Sequence, residues 1–151
     1  MNAFFVPLAI GLAFALGAIA LLRLTSMERD RASAPIVLIA IALFYPVFAA
    51  ENGDGTDIAI HAAIAALFTA LAVVGYRRGL ALIGVGMIAH GLFDLAMGAV
   101  AGNPAPAWWA PFCLGVDVVL GGWLLMFRPW QRAREERASE GRASEKRFGA
   151  R

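Results

Sequence analysis

Charge is what this sequence has least of, and it is missing in blocks. Only 16% of the 151 residues are charged and 60% are hydrophobic, against roughly 25% and 45–50% in soluble domains. No charged residue occurs in 1–22, 32–50 or 58–76, and 79–127 holds only Asp94 and Asp117. Gaps of this length exclude a soluble helical bundle, whose helices each need a polar face. The single cysteine, Cys113, excludes an intramolecular disulfide. No basic residue precedes Arg23, so the first apolar run lacks the n-region of a cleaved secretory signal and reads as a retained span. There is no folded basic segment with interleaved aromatics, which argues against a nucleic-acid partner.

With the charges set aside, five apolar runs remain. Uncharged stretches of about 18 residues or more have the length of a transmembrane helix. The runs predict spans at about 3–24, 35–50, 56–76, 80–100 and 108–127, within one transmembrane domain covering 1–130. The expected fold class is therefore all-α, an integral membrane bundle of five helices. Pro46 interrupts the second span, which is short for a hydrocarbon core of about 30 Å. Residues 131–151 carry repeated Arg-Ala-Ser-Glu units with almost nothing apolar to bury, and read as a disordered, charged tail.

The few charges give the bundle a direction. The first loop holds Arg23, Arg29 and Arg31, and the third holds Arg77 and Arg78. The second, "ENGDGTD", has Glu51, Asp54 and Asp57 with no basic residue, and the fourth, "GNPAPAWWAP", is uncharged. With five spans all 13 basic residues fall on one side, whereas four or six spans would scatter them. The positive-inside rule then places the N-terminus outside and the tail in the cytoplasm, as expected of a multi-pass protein of the bacterial inner membrane. Trp108 and Trp109 are expected at the outer interface, and Trp130 near the inner one. The tail, with eight basic and four acidic residues from Arg128 onward, reads as a topology anchor; its sharper role is contact with anionic lipid headgroups.

Against this background the buried polar residues stand out. His90 and Asp94 are four apart in "MIAHGLFDLAMG" and share one helix face, as do Asp57 with His61 and Cys113 with Asp117. At about 1.5 Å per residue, His61 lies roughly 7 Å from its outer helix end, and Asp94, Asp117 and His90 roughly 9, 14 and 15 Å from theirs. All four fall in the outer half of the bilayer, and Glu51 closes the second span at the rim. A charged Asp at a helix centre costs about 2.5–3.5 kcal/mol on insertion scales, so these groups should face inward and be paired or neutral. Gly84, Gly86, Gly91, Gly98, Gly121 and Gly122 allow close helix approach around such a pocket. Asp57 suits a helix start, and Cys113 reads as a small apolar filler.

Two imidazoles with carboxylates suit a divalent metal such as zinc or non-haem iron, which gives His61, His90, Asp94 and Asp117 as candidate ligands and Glu51 as a weaker one. His90, Asp94 and Asp117 are the candidate catalytic residues. With a metal, the site would act on a lipophilic small molecule from the outer leaflet; without one, the same pairs suit general acid–base chemistry. A proton or small-ion element is the alternative function, although the inner half of the helices continues no polar chain. Interhelical glue in a non-catalytic membrane protein is the third reading. The stretches "FYPVFAAEN", "AHGLFDLAMG" and "PAWWAPFCLGVDVVLGG" resemble an uncharacterised (domain-of-unknown-function) family of small bacterial multi-span membrane proteins. The resemblance covers most of the chain to about Trp130. It implies that Glu51, His90, Asp94 and Asp117 belong together, and it implies no activity.

Overall fold

Leu43 interrupts the second apolar run one turn before Pro46, and that break decides what the helix presents to the centre of the bundle. The computed structural model describes residues 2–52, 54–100 and 102–126. Trp130, the last residue of the fifth predicted span and the charged tail at 131–151 lie outside the described residues. The helices are α1 (Asn2–Leu24), α2 (Ser33–Ala42), α3 (Phe44–Asn52), α4 (Gly55–Arg78), α5 (Leu80–Met97) and α6 (Trp109–Met126). α2 and α3 make one interrupted span, so five stretches are long and apolar enough to cross a membrane. No strand occurs among the described residues. The fold is an all-α, five-span membrane bundle, as the hydropathy pattern predicts.

The break in the second span follows from proline chemistry. Pro46 has no N–H to offer the Ala42 carbonyl, and its ring crowds that same carbonyl. The chain leaves the helix at Leu43 and resumes at Phe44, keeping the flanking bonds Leu43 N–H to Ile39 O (3.1 Å) and Val47 N–H to Leu43 O (3.4 Å). Tyr45, just beyond the break, is buried. The span runs Ser33–Asn52, longer at both ends than the apolar run. α5 ends at Met97 rather than near residue 100, because 98–100 form turns. Gly98 and Gly102 therefore lie beyond the helix.

At the acidic side one helix start is capped by a side chain and the α5–α6 loop is shaped by another. Asp54 Oδ1 accepts from the N–H groups of Thr56 (2.8 Å) and Asp57 (3.0 Å), so Asp54 caps α4 and Asp57 occupies its first turn. In the α5–α6 loop, Gly102 takes a left-handed conformation (φ +80°) and Asn103 Oδ1 accepts from Ala105 N–H at 3.1 Å. At the opposite end Arg31 donates to the Tyr76 carbonyl at 3.1 Å and lies 5.9 Å from the Tyr76 ring centroid, tying the first loop to α4.

α4 packs on α2, α3 and α5. α6 is held by glycine contacts that let backbones touch. A Cβ on Gly121 would stand 2.6 Å from the Gly84 carbonyl oxygen, and one on Gly84 2.9 Å from that of Gly121, which marks the α5–α6 crossing. Gly115 meets α1 in the same way, 2.7 Å from Leu8 O. Two apolar clusters result. Leu38, Ala72, Ile83, Met87, Leu120 and Leu124 fill the Arg-rich half, and Tyr45, Trp109 and Cys113, with Phe48, Phe93 and Met97, fill the acidic half. Trp108 is half exposed, whereas Trp109 is buried against Phe44 and Phe48, with centroids at 4.8 and 4.9 Å. Trp109 is thus a core residue rather than part of an interfacial belt.

Candidate functional site

Between the two clusters lie His90 and Asp94 from α5 and Asp117 from α6. The three are 1%, 0% and 0% exposed. His90 stands about 11 Å below the acidic end of α5 and Asp117 about 12 Å below that of α6, so the two helices present them at one level. The approach is permitted by Gly91, where a Cβ would sit 3.0 Å from Asp117 Cβ and 3.3 Å from the Leu114 Cα. A larger residue beside His90 would push α6, and Asp117 with it, away.

Both carboxylates converge on one imidazole nitrogen. His90 Nδ1 is 2.9 Å from Asp117 Oδ2, a hydrogen bond, and 3.6 Å from Asp94 Oδ2. A neutral imidazole donating from Nδ1 satisfies Asp117 and leaves Asp94 without a donor. Among the described residues, Asp117 Oδ1 and both oxygens of Asp94 have no hydrogen-bond partner of standard geometry. Cys113 lies beside Asp94, where the helix face it shares with Asp117 carries it. The walls are aromatic: Phe68 meets the His90 ring edge-on at 4.9 Å, with Phe93 at 6.4 Å. The described arginines, Arg23, Arg31, Arg77 and Arg78, stand at or beyond the far ends of the helices, and Arg78 begins the turn into α5 about 18 Å from His90.

Buried carboxylates are stable only when neutralised or paired. Two of them with one imidazole need two positive charges for neutrality: two protons, or one divalent ion with neutral His90 as ligand. The donor set fits the ion. One ligand atom from each of His90, Asp94 and Asp117 lies within 4.8 Å of the others, and three carboxylate oxygens are free to coordinate. One nitrogen with two carboxylates is a ligand type suited to zinc, iron or manganese.

The remaining predicted residues lie toward the acidic end. His61 is 5% exposed, but it is not in the three-residue group. Its Nδ1 pairs with the Asp57 carbonyl at 2.8 Å, and its ring stacks on Tyr45 with centroids 5.4 Å apart and planes 5° apart. Glu51 is exposed and, with Asp57, Asn52 and Asn103, lines a cleft of about 520 Å³ between α3, α4 and the α5–α6 loop. Sequence reasoning missed Tyr45, which is buried, stacks on His61 and clusters with Trp109 and Cys113. The signal that points to it is Pro46, which breaks the second span beside it.

No family model, no curated protein and no solved structure matches the chain. The chemistry of the site has to be read from its own atoms.

Proposed function

We propose that this is a protein of the bacterial inner membrane, with its acidic end outside, whose His90–Asp94–Asp117 centre holds a divalent transition metal and acts on a lipophilic small molecule. The observation that carries the reading is the convergence of two carboxylates on one imidazole nitrogen, with no Lys or Arg buried beside them among the described residues. A divalent ion held there supplies Lewis acidity. With the ion bound, His90, Asp94 and Asp117 would be its ligands and the surrounding rings would exclude water; without it, Asp117 accepts from His90 Nδ1–H and so fixes the tautomer and the orientation of the ring. The aromatic walls favour an apolar substrate.

Proton handling without metal is the second reading, favoured by the 2.9 Å His90–Asp117 hydrogen bond. A through-path for ions has less support. On the Arg-rich side the centre rests on Leu38, Ile83, Met87, Leu120 and Leu124. Metal analysis of the purified full chain, beside Asp94→Asn/Asp117→Asn, tests the proposal. Near one zinc, iron or manganese per chain, lost in the double variant, supports it. No metal in either protein after incubation with each ion overturns it in favour of proton handling.

A further inference from the structure

α1 and α6 touch in the acidic half of the bundle and part in the Arg-rich half. A Cβ on Gly11 would collide with the Phe112 carbonyl, and one on Gly115 would stand 2.7 Å from Leu8 O. Ala15, one turn beyond Gly11, is fully buried. Gly122 lies seven residues after Gly115, on the same face of α6 and about 10 Å nearer the Arg-rich end. A Cβ there would meet nothing within 4 Å. The helices have diverged by this level, and a groove of about 410 Å³ runs between them.

The groove is apolar along its length and cationic at its end. Leu16 and Ile19 of α1 and Val118 and Trp123 of α6 line it, and Arg23, in the last turn of α1, lines its Arg-rich end. The Arg23 side chain is half exposed, and its Nε lies 3.7 Å from Glu28 Oε2. An exposed ion pair of this kind contributes little, whereas a phosphate offers the guanidinium a stronger, bidentate partner. An apolar trough that ends in a guanidinium matches a molecule with an anionic head and a hydrocarbon tail. Gly122 keeps the trough open, since a larger side chain would take the space of the tail.

We propose that the α1–α6 groove binds one anionic phospholipid of the leaflet at the Arg-rich end, with its phosphate on Arg23 and an acyl chain laid along Gly122 toward Leu16. The lipid fills the space where the two helices part, and so ties α1 to the bundle in its Arg-rich half. The site is separate from the His90–Asp94–Asp117 centre and does not depend on the metal reading.

The test uses the full chain in detergent, with dioleoyl phosphatidylglycerol and dioleoyl phosphatidylcholine as probes, read by native mass spectrometry and by Tm. The wild type is expected to retain one phosphatidylglycerol in preference to phosphatidylcholine, and to gain Tm from the former alone. Arg23→Gln is expected to lower phosphatidylglycerol retention about fivefold, the contribution of one cation beside an anionic headgroup. Gly122→Leu puts its side chain into the groove and is expected to lose both the retained lipid and the Tm gain. Gly17→Leu adds the same side chain at an exposed, open position outside the groove and is expected to behave as the wild type. Should Gly122→Leu unfold in detergent alone, Arg23→Gln decides by itself. Equal retention of the two lipids by the wild type, as for a lipid of the general annulus, overturns the proposal. Phosphatidylglycerol retained at the wild-type level in Arg23→Gln or in a folded Gly122→Leu also overturns it, and would give the contact to the basic residues from Arg128 onward.

Discussion

His90 on α5 and Asp117 on α6 are 27 positions apart in sequence and meet at 2.9 Å with almost no exposure. Their contact depends on a glycine neighbour, on a shared depth and on helix crossings made by glycines elsewhere. It leaves Asp94 at 3.6 Å from the same nitrogen, with no hydrogen bond of standard geometry to either of its oxygens among the described residues. The centre is thus over-supplied with negative charge.

Removing the imidazole should harm the apo protein, and removing one carboxylate should not. His90→Ala leaves two uncompensated carboxylates and is expected to destabilise by about 3–5 kcal/mol, the range for breaking a buried pair. Asp94→Asn keeps the shape and the His90–Asp117 bond while lowering the charge. It is expected to be neutral or to stabilise by about 1 kcal/mol. Thermal unfolding of metal-free protein in detergent checks both signs.

The α5–α6 packing should be intolerant of a single methyl. Gly91→Ala places a carbon 3.0 Å from Asp117 Cβ, and Gly121→Ala places one 2.6 Å from the Gly84 carbonyl oxygen. Each should cost about 1–3 kcal/mol by overpacking. Only Gly91→Ala should also weaken metal binding, because it displaces Asp117. Parallel unfolding and metal titration separate the two effects.

Metal uptake should release protons. If one divalent ion replaces two protons at a neutral centre, binding to the wild type liberates about two protons per ion. Calorimetry in two buffers of different ionisation enthalpy reads this number. Binding without proton release would mean that the carboxylates carry no proton in the apo state.

The cap at the acidic end is an independent check on the helix boundaries. Asp54→Ala removes the acceptor for Thr56 and Asp57 N–H and is expected to cost about 1 kcal/mol. Asp57→Ala, which caps nothing, should cost less. Thermal unfolding of the two variants gives the comparison.

Much of this architecture is legible in the sequence because lipid imposes a coarse rule. Uncharged runs of sufficient length become helices, and charges retreat to their ends. The pair His90 and Asp94, and Asp117 at nearly the same depth, can be read from spacing alone. Azimuth cannot. His61 has a suitable depth and chemistry, yet α4 turns it onto Tyr45 and away from the three-residue group. Tyr45 itself looks like one more aromatic in an apolar run, and only the helix break before Pro46 distinguishes it. Cys113 reads as filler until α6 sets it beside Asp94. Asp54 rather than Asp57 caps α4, because the loop, not the apolar pattern, decides where the first turn begins.

X-ray absorption on the metal-loaded full chain tests the central claim most directly, since it reports the ligands themselves. The account predicts a shell of nitrogen and oxygen at about 2.0–2.2 Å, containing one imidazole that disappears in His90→Ala. A shell dominated by sulfur, an imidazole signal that survives His90→Ala, or an ion that never leaves hydrated solution would contradict it.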